Sequence, residues 1–163
     1  MKYKILLAIE EDLEQINKLY VDRLQWFNEN NIEQWGNKYP DKYDVLYLKE
    51  QLKINKLYVV KNANKVIGSM LLKSEDSKYW EDSANAYYIH HLVTDINTRG
   101  IGLELIEFAI QQCINDKKQY LRLDTVSKNN WLSEYYKKLG FEFFGTKELK
   151  GGVENLWQMK IKK

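Results

Sequence analysis

A chain of 163 residues with 44% hydrophobic and 13% aromatic side chains can bury one core, which excludes an intrinsically disordered protein. A net charge of +2 without a long basic run argues against a nucleic-acid partner. The single cysteine, Cys113, excludes an internal disulfide and a cysteine metal cluster.

The chain begins with a short apolar run, Tyr3–Ile9, that stops at the acidic triplet Glu10-Glu11-Asp12. This run is too short for a leader peptide, and no window reaches the roughly 18 apolar residues of a membrane span. The pattern therefore predicts a strand over Tyr3–Ile9. We expect one domain over residues 1–163, in the cytoplasm and without a membrane partner.

Two amphipathic helices are predicted next. Apolar residues at three- and four-residue spacing favour a helix from about Asp12 to Asn30. A second helix, about Asp41–Asn55, follows the only proline, Pro40, where a proline does not disturb a helix. The polar segment between the two helices contains Trp35 and is predicted to be a loop.

The periodicity then changes to two, which is typical of strands. A turn at Asn62-Ala63-Asn64 joins the first two of these strands, and a polar loop with Trp80 precedes the third. The last two strands are expected to pair antiparallel. In chain order, the pattern predicts strands at Leu57–Lys61, Val66–Lys73 and Tyr87–Thr94, a helix at Gly102–Asp116, a strand at Tyr120–Thr125, a helix at Asn130–Leu139 that Gly140 ends, and strands at Phe141–Leu149 and Leu156–Ile161.

The order of these elements is β-α-α-β-β-β-α-β-α-β-β, which predicts an α/β fold. Only the β-α-β unit in the middle requires a parallel crossover, and the rest of the order favours antiparallel neighbours. We therefore expect a mixed, mostly antiparallel sheet of six to seven strands, with about four helices.

The segment Thr98-Arg99-Gly100-Ile101-Gly102 lies between a predicted strand and a predicted helix. Glycines let the backbone approach a ligand closely, and the N–H groups at a helix start favour an anion. Arg99 adds a planar, permanently charged group that suits phosphate oxygens. The segment therefore predicts an anion site, although a single Gly-x-Gly is a weak motif.

Two further motifs accompany this loop. Trp26 is followed by Gln34-Trp35, and the last predicted helix carries Asn129-x(6)-Tyr136-x(3)-Gly140-Phe141. With these motifs and its element order, the sequence resembles the GNAT superfamily of N-acetyltransferases over nearly its whole length.

The resemblance implies a site for acetyl-CoA as co-substrate. It implies that the glycine loop wraps the pyrophosphate, that the pantetheine arm lies between the strands Tyr87–Thr94 and Tyr120–Thr125, and that Tyr136 lies near the sulfur. Members usually carry Arg or Gln where this chain has Asn97, and Arg99 is expected to supply that cation. The implied cofactor residues are Leu92, Val93, Thr94, Asn97, Thr98, Arg99, Gly100, Ile101, Gly102, Leu103, Asn129 and Tyr136.

The implied reaction is direct attack of a primary amine, from a small molecule or peptide, on the thioester. A backbone N–H near Leu92–Val93 would polarise the carbonyl. His90 and His91 are the candidate bases that deprotonate the amine, and Tyr136 would protonate the departing thiolate. Cys113 is a poor nucleophile because it lies in a helical apolar pattern.

Structural interpretations stand beside these roles. Because His90 and His91 are neighbours on a strand, we expect them on opposite faces, where they cannot share a metal ion, and we expect no metal site. Arg122 and Asp124 share one strand face and favour an ion pair that holds the sheet. The loop residues Trp35 and Trp80 are candidates for lining the acceptor pocket, with core or loop anchoring as the alternative.

Two other functions are compatible with the sequence. One is a non-catalytic sensor module that binds acyl-CoA without turnover. The other is a dinucleotide-binding protein. The loop argues against this function because it lacks the third glycine of the motif Gly-x-Gly-x-x-Gly and has Leu105 at that position. The acceptor amine stays unidentified, and the edge of the final hairpin offers a route to a homodimer.

Overall fold

The computed structural model describes residues 3–35 and 42–162, and its helices and strands follow the predicted order. In the described part of the chain, the strands are β1 (Lys4–Leu7), β2 (Lys56–Asn62), β3 (Lys65–Lys73), β4 (Ala86–Thr94), β5 (Tyr120–Val126), β6 (Glu142–Leu149) and β7 (Gly152–Lys160). The α-helices described are α1 (Leu13–Glu29), α2 (Val45–Ile54), α3 (Ile101–Asn115) and α4 (Asn130–Lys138).

The strands form one sheet in the order β1-β2-β3-β4-β5-β7-β6. Each neighbouring pair is antiparallel except β4 and β5, which are parallel and joined through α3. This arrangement confirms the predicted mixed sheet and its central crossover. Strand β7 lies between β5 and β6, so that β6 forms one edge of the sheet.

The parallel pair in the middle of the sheet is short. Residues Ala86–Tyr88 of β4 pair with Tyr120–Arg122 of β5, and the pairing ends there. Strand β5 continues along β7 as far as Val126, whereas β4 continues along β3 as far as Thr94. The two strands therefore part beyond Tyr88 and Arg122, which opens a gap in the sheet.

Helices cover both faces of the sheet. On one face, α3 buries the apolar stripe that its periodicity predicts, with Leu105, Ile106, Ala109 and Cys113 at most 1% exposed. These side chains pack into a core with residues of the central strands. On the other face, α1 and α2 bury Leu13, Ile16, Tyr20 and Leu48 against β2 and β3. The sheet is thus a central layer with a separate core on each side.

Local polar groups set where the helices begin and end. Helix α2 starts after Asp44, whose carboxylate accepts a hydrogen bond from the N–H of Tyr47 at 3.0 Å. Pro40 and the predicted helix start at Asp41 lie outside the described residues. Helix α4 starts after Asn129 and is followed by Gly140 at φ +98°, which confirms the predicted glycine stop.

Two predicted boundaries are corrected at strands. Strand β1 ends at Leu7 rather than Ile9, because a 3-10 turn at Glu10–Asp12 precedes α1. Strand β7 begins at Gly152 rather than Leu156, because it pairs along its length with both β5 and β6. No helix within residues 3–35 and 42–162 combines the length and apolar character needed to cross a bilayer.

Candidate functional site

A cavity of about 780 Å³ opens where β4 and β5 part. Its walls come from α1, the end of β4, the start of α3, β5, α4 and the turn between β6 and β7. Leu92, Val93 and Thr94 line it from β4, and Gly100, Gly102 and Leu103 line it from the α3 side. These six residues, all predicted for a cofactor, thus meet at one opening in the sheet.

A bulge interrupts β4 at the cavity. In the register with β3, Leu71 lies opposite His90 and Ser69 opposite Val93, so Met70 faces two residues, His91 and Leu92. His91 takes a left-handed φ of +53° at this point. A bulge leaves a backbone group out of the ladder, which here lies beside the cavity.

The bulge also changes where the histidines point. The His90 and His91 rings lie 5.9 Å apart between centroids, and both line the cavity. The prediction that they point to opposite faces is therefore wrong, because the extra residue in β4 breaks the strand alternation. The same correction removes the reason given above against a shared metal ion.

His90 lies between two carboxyl groups. Its Nε2 is 2.7 Å from Oδ2 of Asp76, and its Nδ1 is 3.8 Å from Oδ1 of Asp124. The Asp76 side chain is 2% exposed and comes from the loop between β3 and β4. Burial raises the pKa of Asp124 to about 6, against an opposing effect of His90. This residue can therefore exchange a proton near neutral pH.

His91 has a different environment. Its Nε2 lies 3.0 Å from the hydroxyl of Tyr47, and its backbone carbonyl accepts a hydrogen bond from the Tyr20 hydroxyl at 3.2 Å. The Tyr43 ring lies 4.6 Å away. Burial lowers the pKa of His91 to about 3, and His90 adds to this effect. His91 is consequently a neutral ring near pH 7 and a weak proton acceptor.

Arg122 does not pair with Asp124, contrary to the sequence prediction. Its guanidinium binds both carboxylate oxygens of Asp82, at 2.6 and 2.8 Å, and also the side-chain oxygen of Gln158. The structural role predicted for Arg122 is retained with a different partner, since the residue is 1% exposed. Asp124 is left to face His90 and the cavity.

The two candidate pocket tryptophans differ. Trp35 lines the cavity and packs its ring edge-on against Tyr20 and Phe27. Trp80 does not line it: its ring is buried and lies 4.1 Å from the Arg122 guanidinium. The expectation of a substrate-binding Trp80 is thus corrected, because the loop folds the ring back under the sheet to cover Arg122.

Tyr136 reaches the cavity from α4. Its ring is buried and meets Phe141 edge-on at 5.6 Å, and it also lines the cavity. Burial raises the pKa of the Tyr136 hydroxyl, which keeps it protonated at neutral pH. Tyr135 lines the cavity as well, and its hydroxyl lies 3.5 Å from the position of a Cβ built on Gly102. The Tyr136 side chain thus lines the gap with its hydroxyl protonated.

The loop before α3 ends at Gly100, and the backbone geometry from this residue into the first turn of α3 suits an anion. Gly100 has φ +84° and precedes the first helical turn, which carries no side-chain cap. By contrast, the N–H groups of Asn97 and Thr98 bind Asp95, at 2.8 and 3.2 Å, and hold the turn. The predicted anion site therefore depends on the amides from Arg99 onward.

Not every predicted cofactor residue lines the cavity. Arg99 is exposed and is absent from the cavity wall, whereas Arg23 of α1 lines it and donates to the Thr94 carbonyl oxygen at 2.9 Å. The Ile101 side chain is fully buried, so Ile101 can meet a ligand only through its backbone. The roles of Asn97, Thr98, Arg99 and Ile101 in cofactor binding stay predictions.

Asn129 already has two side-chain partners. Its Oδ1 accepts from the N–H of Leu132 at 3.0 Å, and its Nδ2 donates to Gln34 at 3.1 Å. Asn129 therefore caps α4 and attaches the segment before Trp35 to it. Its predicted role in cofactor binding stays a prediction.

Three ligand atoms of the site would suit a metal ion by distance alone. Among the described residues, Asp76, His90 and Asp124 each offer one such atom within 4.8 Å of the others. The 2.7 Å contact between Asp76 and His90 is, however, that of a hydrogen bond. A protonated Nε2 cannot bind a metal ion at the same time.

Several cavity residues were not identified from the sequence. Asp76 sits in a polar loop without any motif, and Glu154 belongs to the part of β7 that was not predicted as a strand. Asp124 had a usable signal, because it follows the parallel segment of β5 at the end of the crossover, where α/β sheets bind ligands. Arg23 and Trp131 also line the cavity from α1 and α4.

A family model described as an acetyltransferase (GNAT) domain matches residues 23–163 of the chain. A curated relative, S-(2-succino)cysteine N-acetyltransferase of Bacillus subtilis (strain 168), is 23% identical over 168 residues, which cover 98% of this chain and 96% of that protein.

Solved structures share the fold. A GNAT-family acetyltransferase from Listeria monocytogenes 4b F2365 superposes with a TM-score of 0.78 and 25% identity, over 97% of this chain and 94% of that one. The PaiA N-acetyltransferase of Thermoplasma acidophilum, solved in complex with coenzyme A, superposes with a TM-score of 0.76 and 17% identity, over 98% and 99% of the two chains.

Proposed function

The chain belongs to the GNAT family of acetyltransferases, and from this premise we propose that it transfers an acetyl group from acetyl-CoA to a primary amine of a small molecule or peptide. The transfer proceeds by direct attack of the amine on the thioester, without a covalent enzyme intermediate. Cys113 takes no part, since it is fully buried on the core-facing side of α3.

The gap between β4 and β5 is the proposed place for the pantetheine arm. Its walls include Leu92, Val93 and Thr94, at the end of a strand that no longer pairs with β5. The amides from Arg99 to Leu103 bind the pyrophosphate, because the first turn of α3 lacks a side-chain cap and its dipole favours an anion. That PaiA was solved with coenzyme A supports a cofactor site in this fold.

The bulge in β4 supplies the proposed carbonyl-polarising donor. The backbone N–H near Leu92 and Val93, released from regular pairing with β3, stabilises the negative charge that develops on the thioester oxygen. Tyr136 gives its proton to the departing thiolate, since burial keeps its hydroxyl protonated. The thiolate is a tolerable leaving group, so that this step needs modest help.

His90 is the proposed proton acceptor for the amine. An alkylammonium has no lone pair, so attack requires that it first lose a proton. His91 is the weaker candidate because burial lowers its pKa to about 3 and Tyr47 occupies its Nε2. His90 lies beside two carboxyl groups at the inner end of the gap, where the amine meets the thioester.

The acceptor binds at the end of the cavity that holds Trp35, Tyr79 and Glu154. The name of the Bacillus subtilis relative specifies a small molecule with an amine, which supports this acceptor class. The observation that carries the proposal is the gap in the sheet, because it brings the glycine loop, the bulge, His90 and Tyr136 to one cavity.

Calorimetric titration with acetyl-CoA, followed by measurement of free CoA released with a panel of primary amines, tests the proposal. We expect binding and acceptor-dependent release. Absence of heat and of thermal stabilisation at millimolar acetyl-CoA would reject the cofactor site. Binding without turnover of any amine would favour the non-catalytic sensor module instead.

A further inference from the structure

The inner end of the gap between β4 and β5 is marked by two side chains. Tyr88 and Arg122 are the last residues whose strands still pair, and their side chains touch on one face of the sheet. Two residues further along each strand come His90 and Asp124, with 3.8 Å between Nδ1 and Oδ1. These two side chains therefore face each other where the proposed thioester meets the amine.

Asp76 determines which nitrogen of His90 carries the proton. A carboxylate oxygen only accepts hydrogen bonds, so the 2.7 Å contact with Oδ2 of Asp76 requires a proton on Nε2. In the neutral ring the lone pair is then on Nδ1, which is directed toward Asp124. Asp76 is 2% exposed and is held by its loop, so this arrangement does not depend on solvent.

We propose that Asp76, His90 and Asp124 form one proton-accepting unit, in which Asp76 is a positioning residue and Nδ1 of His90 takes the proton of the acceptor amine. This inference rests on the proposed acetyl transfer. Asp124 stabilises the imidazolium that results and guides the ammonium of the acceptor toward Nδ1.

The proton and electron balance is complete without another reactant. The ammonium of the acceptor gives one proton to Nδ1 of His90, and the freed lone pair forms a bond to the thioester carbon. The carbon–sulfur bond breaks, and the thiolate takes the proton of the Tyr136 hydroxyl. The second proton of the attacking nitrogen returns to Tyr136 through solvent, and His90 releases its proton to water.

Several charged groups surround this unit and set its pH response. The loop between β3 and β4 contributes Asp76, Lys78 and Tyr79, whose ring centroid is 5.5 Å from that of His90. From the strands come Lys73 of β3, His91 of β4, Asp124 of β5 and Glu154 of β7. The Lys73 ammonium lies 4.0 Å from the Asp76 carboxylate. The acidic neighbours of His90 are thus Asp76, Asp124 and Glu154, and the basic ones are Lys73 and Lys78.

Nitrogen NMR of the imidazoles tests the positioning directly. The chain has two histidines, and the variant His91→Gln assigns the remaining signals to His90. At a pH where the ring is neutral, we expect the proton of His90 on Nε2, and we expect Asp76→Asn to abolish this fixed tautomer. A wild-type ring protonated on Nδ1 would overturn the proposal.

Steady-state kinetics test the proton transfer. We expect Asp76→Asn and Asp124→Asn to lower kcat by about 10²- to 10⁴-fold with the KM for acetyl-CoA unchanged. In Asp124→Asn, the pH–rate profile also changes near pH 6, because burial raises the pKa of the Asp124 carboxyl to about 6 and the variant removes that ionisation. The matched control is Glu81→Gln, an exposed carboxylate on the same loop that pairs with Lys147 outside the cavity.

The outcomes separate this inference from the proposed function. A wild-type protein that binds acetyl-CoA but acetylates no amine would reject the proposed function. An active protein with the wrong tautomer, or with unchanged kcat and pH profile in both asparagine variants, would reject the proton-accepting unit alone. A turnover that a chelator abolishes and zinc restores would instead assign the three residues to a metal ion.

Discussion

Glu154 and Asp124 lie diagonally across neighbouring strands and both line the cavity. In the register of β5 and β7, Asp124 faces Leu156 and Val126 faces Glu154. Lys147, which lies opposite Glu154 on β6, binds Glu81 instead. Burial raises the pKa of Glu154 to about 7, and Asp124 adds to the shift. The ionised form of the Glu154 carboxyl therefore destabilises the folded chain relative to the unfolded chain.

The direction of the pH effect follows from the raised pKa. Between about pH 4.5, the ordinary value, and about pH 7, the folded chain binds more protons at Glu154 than the unfolded chain does. Stability consequently falls as the pH rises through this window. We expect Glu154→Gln to increase the free energy of unfolding by about 1 kcal/mol at pH 8, after discounting for solvent screening, and by less at pH 5.

Thermal or denaturant unfolding at the two pH values measures this difference. The control is Glu148→Gln, because Glu148 is an exposed carboxyl on the other strand of the same hairpin. Equal gains at pH 5 and pH 8 would contradict the prediction.

Tyr136 gives a second prediction at the residue scale. The structure gives its hydroxyl no hydrogen-bond partner among the described residues, so Tyr136→Phe keeps the ring packing against Phe141. We expect a 10- to 100-fold lower kcat, the lower end of the range for a general acid because the thiolate leaves readily, with acetyl-CoA binding and melting temperature unchanged.

Calorimetry and steady-state rates measure the two effects of Tyr136→Phe separately. Tyr58→Phe is the control, since this buried tyrosine does not line the cavity. An unchanged rate in Tyr136→Phe would remove the tyrosine from the mechanism.

The sequence allowed some of these residues to be identified and not others. The place of Tyr136 at the cavity was predictable because α4, which begins after Asn129, keeps a fixed spacing between the two residues, so a motif along the chain is also a motif in space. The facing of His90 and His91 was missed because the bulge follows from pairing with β3, which the sequence of β4 does not encode. Asp76 was missed since its contact crosses from a loop to a strand.

At the scale of elements, Gly68 sets how closely α3 approaches the sheet. A Cβ built on this residue of β3 would lie 2.6 Å from Cγ2 of Ile101 and 3.3 Å from Cγ2 of Val60. Ile101 is fully buried and forms the first turn of α3, the same turn whose amides are proposed to bind the pyrophosphate. The absence of a side chain at Gly68 thus lets the first turn of α3, the proposed anion site, lie close to β3.

We expect Gly68→Ala to lower the free energy of unfolding by about 1–3 kcal/mol, because the added methyl group overpacks the core. We also expect weaker acetyl-CoA binding, since the first turn of α3 must shift. Denaturant unfolding and calorimetry measure the two changes.

The control for Gly68→Ala is Gly145→Ala. A Cβ at Gly145 of β6 meets no atom within 4 Å, and this residue has no positive φ. Wild-type stability and affinity in Gly68→Ala would show that β3 and α3 tolerate a larger separation.

Element types and order were predictable because periodicity is a local property of the chain. The stripe of α3 and the cap at Gly140 are examples. The length of β7 was not predictable from the sequence. Gly152–Asn155 have no apolar alternation of their own and become a strand by pairing with β5 and β6. The parting of β4 and β5 likewise depends on their other neighbours.

At the scale of the whole molecule, the free edge of β6 is where a second copy could add to the sheet, and a homodimer through it stays a prediction. Phe143 and Phe144 on this strand are 55% and 50% exposed. Edge strands with unpaired backbone groups pair readily across a two-fold axis.

Sedimentation velocity tests this assembly. We expect a species of about twice 19.5 kDa, and we expect Phe144→Lys to convert it to the monomer, because a charge replaces an exposed apolar side chain of the edge strand. Ile54→Lys, an exposed position at the end of α2, is the control that leaves the dimer intact. If the wild-type protein sediments as a monomer both at high concentration and after 100-fold dilution, the β6 edge is excluded as an interface.

The buried Cys113 has a practical consequence for enzymology. Its Sγ lies 3.8 Å from the Tyr120 carbonyl oxygen, and burial raises the pKa of the thiol to about 12. Aromatic disulfide reagents react with thiolates and release a coloured product. They should therefore react with the free coenzyme A thiol and leave the buried Cys113 thiol of the folded protein unmodified. Turnover of the wild-type protein can thus be followed continuously by absorbance. A slow rise in absorbance without acetyl-CoA and acceptor would indicate that unfolding exposes Cys113.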